Sequence, residues 1–591
     1  MSATLPPILP SVIALVRQAG RMVADEFSRP DGPRSNHADS APVDEEIELF
    51  LRAGLTALLP ARFVGEESGA HAGAHEGAHE GAHAGAHAND AHIYCWVVDP
   101  HDGTRAFLEG RRGSAVSVAL LRSGTPVLGV VYAPLSPDRG PDMIAWAEGG
   151  PILRNGAPVR VDQGPRDLVS SDVVFLNHGA WQRPVWNGTA CAPARFMPLP
   201  SIAYRLARVA VGDGVATVTL RPVAAHDIAA GHALLAAAGG VLVKEDGDPV
   251  TYDAAGDNRP GACFGGAPAA VAALLTRSWR RSPEPLRPPR VTLSFPRVAE
   301  GPRLDRAIGC LLGLAVGDAW GHGSGDTIPG QPTAVGELAI ALARTLAGRV
   351  RYDPAAAIEA YATWYETGPF GCPDTLARPF QAASLAPADK IRAAREAADP
   401  AALDSAPLAR IAPIGVWADS PEAAAEAAAV DASLTHPHPV CQTACAAFAA
   451  AIAAAVQGGD REAMRDAAAR IAAADSPVAE ALISPGNTTA PILTAFGAAF
   501  RLLADGRTVQ QALSDTAHSQ EPAINAAINA AITGALLGAA DGRAALPVGW
   551  TMPVLTCRPD QGLHPPRPRP APYWPDDLLD LTDALLVKAA T

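Results

Sequence analysis

The sequence predicts an α/β unit followed by an all-α unit. Up to about residue 275, short apolar runs that end in Gly, Asp or Glu alternate with amphipathic helical stretches. Residues 278–302 are then rich in Pro and Arg, among them Arg280, Arg281, Pro283, Pro285, Arg287 and Arg290, and read as an extended linker. From Leu304 onward the pattern is Ala-rich with helical periodicity and almost no strand signal. A chain of 591 residues is too long for one core, so the expected division is 1–277, linker 278–302 and 303–591.

Hydrophobic residues make up 48% and charged residues 18%, which indicates a globular chain. A formal net charge of −14 argues against nucleic acid or an anionic membrane as the main partner. The start lacks a basic segment followed by an apolar core, and no run approaches the roughly 18–20 apolar residues of a membrane span. The eight Cys form no C-x-x-C pair, Cys441 and Cys445 being closest. This is reduced usage, so a cytoplasmic location is expected and a zinc site is not.

Residues 11–27 read as an amphipathic helix. Asp44 opens a second, with Ile47, Phe50, Leu51, Leu55 and Leu58 at helical spacing and Glu45, Glu46 and Glu48 near its positive end. Locally, Asp44 reads as a helix N-cap. Phe63-Val64-Gly65-Glu66-Glu67-Ser68 follows, a short strand ending in carboxylates. The tract 69–90 repeats Gly-Ala-His-x, with His71, His75, His79, His83 and His87 every fourth residue. A Gly in each repeat opposes a helix by about 1 kcal/mol, so the tract reads as a disordered loop extension near the site mouth.

The chain turns on Cys95-Trp96-Val97-Val98-Asp99-Pro100-His101-Asp102-Gly103-Thr104. A buried apolar strand ends in two carboxylates three residues apart, with Pro100 restraining the turn. Carboxylates held this close are costly unless a cation lies between them, and Gly-Thr offers N–H groups and a hydroxyl to a phosphate. The stretch reads as a Mg²⁺ site that holds a phosphate. An Asp-rich turn after a strand would look the same.

Residues 116–121 and 126–132 form a predicted hairpin, and 143–147, 151–154 and 159–161 are short strands with a turn at Asn155-Gly156. A helix is expected at 201–211 and a strand at 215–220. A further helix opens near Asp227, itself a candidate N-cap, and stops at Gly239-Gly240.

Gly65-Glu66-Glu67, then Asp99-Pro100-His101-Asp102-Gly103-Thr104, then His226-Asp227-x-Ala229-Ala230-Gly231 stand in the order found in inositol monophosphatase-like phosphatases. Residues 8–275 resemble that Mg²⁺-dependent, often lithium-sensitive superfamily. The resemblance implies a layered α/β/α/β/α sandwich and a phosphoric monoester hydrolase. It implies two or three Mg²⁺ on Glu66, Asp99, Asp102, Asp227 and the backbone carbonyl of His101. It also implies that Asp44, Glu66 and Thr104 position or activate the attacking water. Asp102, Gly103, Thr104, Ser201 and Asp227 would contact the substrate. A homodimer is compatible with it. Three departures bear on the leaving group: His226 where the family usually has Trp, Leu220-Arg221-Pro222-Val223 where it often has an acidic contact, and Ala237 where Glu often precedes Ala-Gly-Gly.

In the second half, Arg306-Ala-Ile-Gly309-Cys-Leu-Leu-Gly313-Leu-Ala-Val-Gly317-Asp318-Ala319 resembles the opening of the ADP-ribosylglycohydrolases. Leu434-Thr435-His436-Pro437-His438-Pro439 and Ile532-Thr-Gly534-Ala535-Leu-Leu-Gly538 support the resemblance. It spans about 303–555. That family's metal carboxylates do not carry over. Thr333-Ala334-Val335-Gly336-Glu337 and Ile524-Asn525-Ala526-Ala527-Ile528 stand at the two expected helix starts, and Gly325 and Pro369-Phe370-Gly371-Cys372-Pro373 at two further positions. Ala, Val and Asn do not hold a hard dication. The unit therefore reads as non-catalytic, with an ADP-ribose-like ligand as its expected partner. A site relocated to Asp515, Glu521 and Glu337 is the alternative. The Pro-rich tail 558–575 reads as extended along the surface.

The expected function is Mg²⁺-dependent hydrolysis of a small phosphorylated sugar, polyol or nucleotide. A 3′(2′),5′-bisphosphate nucleotidase and a non-catalytic ADP-ribose-binding scaffold are the alternatives.

Overall fold

A computed structural model describes residues 7–36, 40–71, 93–161, 164, 167–253, 255–279, 282–321, 326–473, 476–484, 488–516 and 523–588. All but the first few residues of the His-containing tract lie outside them, as do Gly325 and Glu521. The chain forms two compact units: residues 1–288 with 295–297, and residues 289–294 with 298–591.

The first unit is built in layers. Helices α1 (Leu9–Phe27) and α2 (Pro42–Leu58) cover one face of an eight-stranded sheet. That sheet contains β1 (Arg62–Gly65), β2 (Gly69–His71), β3 (Tyr94–Asp102), β4 (Ala115–Arg122), β5 (Thr125–Ala133), β6 (Asp142–Ala147), β7 (Ile152–Arg154) and β8 (Ala157–Val159), in the order β2-β1-β3-β4-β5-β6-β7-β8. A short helix α3 (Thr104–Leu108) follows β3 directly. Val12, Val16, Ile47, Leu51, Trp96, Val98, Val118 and Val130 fill the core between α1, α2 and the sheet.

The second sheet has five strands, β9 (Val173–Leu176), β10 (Arg195–Pro198), β11 (Ala216–Thr219), β12 (Val241–Lys244) and β13 (Cys263–Gly266), in the order β10-β9-β11-β13-β12. Helices α5 (Ile202–Ala210) and α6 (Ala225–Ala237) lie between the sheets. Helices α4 (Pro184–Cys191) and α7 (Pro268–Leu275) pack with Val174, Phe196, Val218 and Phe264 on the far face. This is the layered α/β/α/β/α arrangement.

The fully buried β3 accounts for its continuous apolar run, since a strand covered on both faces carries no alternation. It does not end at Asp99: pairing with β4 continues to Asp102 across a register shift. The hairpin turn has Ser123 at φ 48° and Gly124 at φ 80°, matching the twist of β4 and β5. Helix α2 opens at Pro42 rather than Asp44. β9, β10, β12, β13, α4 and α7 have no counterpart in the sequence-based assignment.

The second unit is helical. Its opening helix α8 (Pro302–Gly321) crosses the helix Ala523–Asp541 closely, with Gly309, Gly313 and Gly317 against the backbone of Gly538, Gly534 and Ala530. A Cβ at any of the three would collide with backbone, which is the physical reason for glycine every fourth residue. The helix Pro439–Val456 corrects the expectation that no membrane-length apolar run exists. It is 18 residues long and 78% of it is buried inside the unit, so it is explained as a core helix. The tail also departs from expectation: Arg558, Arg569, Tyr573 and Trp574 are buried rather than laid on the surface. All eight cysteines are free thiols, and every one but Cys372 is buried.

Candidate metal centre

The site forms where β3 ends. Asp99 Oδ1 accepts the His101 backbone N–H at 2.8 Å, while no N–H or hydroxyl reaches the buried Asp99 Oδ2; the remaining polar neighbour of this side chain is the acidic Glu66. Asp102 Oδ2 accepts from Ser201 Oγ at 2.6 Å and from the Ala203 N–H at 2.8 Å. Asp227 sits in the first turn of α6, where one carboxylate oxygen reaches back to the Ala224 N–H at 2.5 Å. Neither Asp44 nor Asp227 is the N-cap itself: both are third helical residues, and Asp44 reaches back likewise to the Ala41 N–H at 3.2 Å.

Ligand atoms of Asp99, Asp102 and Asp227 lie within 4.8 Å of one another, and so do those of Glu66, Asp99 and His226. Trans oxygens on an octahedral Mg²⁺ are about 4.2 Å apart, so each trio suits one ion, with Asp99 common to both. A buried carboxylate oxygen lacking any proton donor is costly unless a cation faces it. Burial first, then neighbouring carboxylates, push the Asp99 pKa well up. Asp102 rises to about 7 through burial and the charge on Asp227. Glu66 is exposed by area, yet desolvation by the surrounding protein raises its pKa to about 8, with Asp227 adding to the rise. The donor set is oxygen-rich, anionic and short of positive charge, which fits hard divalent cations. His226 offers a nitrogen at the edge; burial lowers its pKa, favouring the neutral form a metal binds.

Gly103 has φ 102° and turns the chain from β3 into α3. Thr104 Oγ1 donates to the His101 carbonyl at 2.8 Å and lies 3.4 Å from Asp44 Oδ2. The His101 carbonyl, expected as a ligand, thus faces Thr104. Ser201, expected at the substrate, is fully buried behind Asp102 and caps α5 by accepting the Tyr204 N–H at 2.9 Å. Its hydroxyl is committed to Asp102.

Two supporting side chains escaped the sequence reading. Glu48, buried on α2, accepts the Glu67 N–H at 2.8 Å and the Ser68 N–H at 3.2 Å, and pairs with Arg52 at 2.8 Å. A side chain at Gly65 would collide with the Glu48 carboxylate, so the glycine lets the Glu66 loop close on it. The signal was an acid one turn after Asp44, between Ile47 and Leu51 on the apolar face. The His101 imidazole was the other: it lies fully buried, with Nδ1 2.8 Å from Asp44 Oδ1 and Nε2 2.9 Å from Ser114 Oγ.

The second unit shows a different solution at its expected site. Asp318 accepts the Thr333 N–H at 2.7 Å and the Thr333 hydroxyl at 2.5 Å, and burial raises its pKa to about 7. Glu337 is buried against Arg569 at 2.7 Å and Trp364 Nε1 at 2.6 Å. Asp515 pairs with Arg507 instead of joining them. Among the described residues, no metal-competent trio occurs in this unit. His436 forms a buried contact with Asp404 at 2.9 Å, and His438 caps the helix Pro439–Val456.

Residues 5–267 match the inositol monophosphatase family and residues 299–589 match the ADP-ribosylglycohydrolase family. The first unit is inositol monophosphatase-like and the second ADP-ribosylglycohydrolase-like. The 3′(2′),5′-bisphosphate nucleotidase CysQ of Escherichia coli is 31% identical over 157 residues, covering 27% of this chain and 61% of that protein. The histidinol-phosphatase of Mycobacterium tuberculosis is 32% identical over 170 residues, covering 26% and 59%. CysQ of Aggregatibacter actinomycetemcomitans is 27% identical over 259 residues, covering 42% and 87%. The chain thus spans about three fifths of the first of these relatives. Among solved structures, the suhB protein of Bartonella henselae aligns with a TM-score of 0.34 at 22% identity, over 45% of this chain and 97% of that one.

Proposed function

We propose that the first unit is a Mg²⁺-dependent phosphatase acting on a small phosphate monoester. The observation that carries this reading is Asp99 Oδ2, buried without a donor among Asp102, Asp227 and Glu66. Two or three Mg²⁺ held by Glu66, Asp99, Asp102 and Asp227 would supply charge for the phosphoryl oxygens and lower the pKa of the attacking water. The chain's own residues do the rest. Thr104 takes the water proton at Oγ1 while passing its own to Asp44 Oδ2. The Gly103-Thr104 backbone orients the phosphate, and Ser201 with the Ala203 N–H fixes Asp102. A phosphomonoester panel with and without Mg²⁺, beside Asp102→Asn, tests the reading. Mg²⁺-dependent phosphate release that falls at least about 100-fold in the variant is expected; metal-independent release, or none, would overturn it.

A nucleotide is the second reading for the substrate. It is favoured by a cavity of about 280 Å³ at the carboxyl ends of β9 and β11, lined by Asn177, Arg183, Trp186, Asn187 and Leu220. Adjacent strands whose following helices leave to opposite faces create such crevices. Here α4 and α6 do so, and α6 carries Asp227. Bisphosphate nucleotidases stand among the relatives. Preference for 3′-phosphonucleosides over inositol phosphates, lost in Trp186→Ala, is the expected result.

For the second unit we propose a non-hydrolytic role, with an ADP-ribose-like ligand as its partner. Arg569 supports this by supplying to Glu337 the positive charge a metal would otherwise bring. Titration of the full chain with ADP-ribose tests binding; no heat at millimolar ligand would count against it. A cytoplasmic location is supported by the free thiols.

A further inference from the structure

We propose that His101 is a positioning residue whose imidazole holds the Asp44 carboxylate toward Thr104. The proposal rests on the phosphatase reading of this site, in which Asp44 and Thr104 handle the proton.

The geometry is specific. Pairing of β3 with β4 sets Asp99 opposite Ser117 and Asp102 opposite Ala115, so β3 carries one extra residue there. Such a bulge releases a side chain from the strand's regular alternation. The released imidazole is fixed at both ends: Nδ1 lies 2.8 Å from Asp44 Oδ1 and Nε2 2.9 Å from Ser114 Oγ. Its ring also meets Phe107 edge-on at 4.3 Å. A carboxylate only accepts, so Nδ1–H donates to Asp44, and Nε2 meets the Ser114 hydroxyl, a group able both to donate and to accept. The Asp44 carboxylate therefore fixes a proton on Nδ1.

The consequence falls on Thr104. Its single hydroxyl proton goes to the His101 carbonyl at 2.8 Å, with Asp44 Oδ2 as the other acceptor at 3.4 Å. Asp44 Oδ2 is steadied by the Ala41 N–H at 3.2 Å and Oδ1 by the imidazole. Without the imidazole only the Ala41 N–H holds the carboxylate, which can then turn about that bond away from Thr104. His101 thus acts on both choices open to that proton, through its carbonyl and through its ring. Both ring nitrogens are taken by protein side chains, Asp44 and Ser114, contacts that packing beside Phe107 does not require. The imidazole is therefore unexplained by packing alone.

The test uses the full-length protein with Mg²⁺ and the best phosphomonoester. His101→Leu is expected to lower kcat about 30- to 100-fold, with KM and Mn²⁺ affinity changed less than about twofold. His101→Asn, which keeps a donor near the Nδ1 position, is expected to recover about tenfold of that loss. Asp44→Asn combined with His101→Leu should be no slower than Asp44→Asn alone. Independently of activity, a downfield imidazole proton resonance should be present in the wild type and absent from His101→Leu and Asp44→Asn. Equal kcat in the Leu and Asn variants, multiplicative loss in the double variant, or a fall in Mn²⁺ affinity that tracks kcat would overturn the proposal. A wild type that shows the resonance but releases no phosphate would overturn the phosphatase reading and leave the His101–Asp44 pair standing. Absence of the resonance would overturn the pair.

Discussion

The Glu48 carboxylate accepts a hydrogen bond from the Glu67 backbone N–H at 2.8 Å, nineteen residues away along the chain. It thereby ties α2 to the loop that presents Glu66. Side chains that orient metal ligands commonly carry 10- to 100-fold of metal affinity. Glu48→Ala is expected to weaken Mn²⁺ binding by about that factor, and Glu48→Gln, which keeps an acceptor, by much less. Isothermal titration of both variants checks this.

The clustered carboxylates make the metal-free protein sensitive to pH. Their folded pKa values are raised, to about 8 for Glu66 and about 7 for Asp102, with Asp99 also well up. In the unfolded chain such groups ionise near pH 4. Between these limits the folded state holds more protons, so stability falls as pH rises. Their contribution is full below about pH 4 and is lost as pH passes 7 to 8. Mg²⁺ favours the ionised forms, so its stabilising effect should grow over the same window. The expected result in calorimetry is a Tm difference between Mg²⁺ and EDTA that is larger at pH 8 than at pH 5.5.

In the second unit, Arg569 donates through Nε and Nη2 to the Glu337 carboxylate at 2.8 and 2.7 Å, and both are buried. Removing one member of such a pair strands the other, at a cost of about 3–5 kcal/mol. Arg569→Met should destabilise this unit by that order, and Arg569→Met with Glu337→Met should recover most of it. Urea unfolding followed by Trp fluorescence reads both, and EDTA should leave this unit's transition unmoved.

The candidate ligands were legible because each acid stands at the end or start of a patterned element. Asp99 ends an apolar run, Glu66 follows Phe63-Val64-Gly65, and Asp227 opens an amphipathic helix. What surrounds them was not. Glu48 looked like one more acid near a helix start, because sequence does not reveal that a loop distant in the chain folds over it. His101 stood between two aspartates, and only the bulge at the end of β3 decides where its ring goes. Ser201 was named through the family resemblance, and nothing in the sequence reveals that its hydroxyl donates to Asp102. The tail was misread for a related reason: Pro-rich composition marks irregular backbone, and Arg569 is nonetheless drawn inward by Glu337. Helix Pro439–Val456 is apolar because neighbouring helices, not lipid, surround it.

The proposed phosphatase chemistry requires divalent cations to gather at Asp99. The most direct measurement is titration of the metal-stripped full-length protein with Mn²⁺, compared with Asp99→Asn. Binding of at least two ions by the wild type, with at least one lost in the variant, is the predicted result. Identical isotherms for the two proteins, or no binding by the wild type, would contradict it.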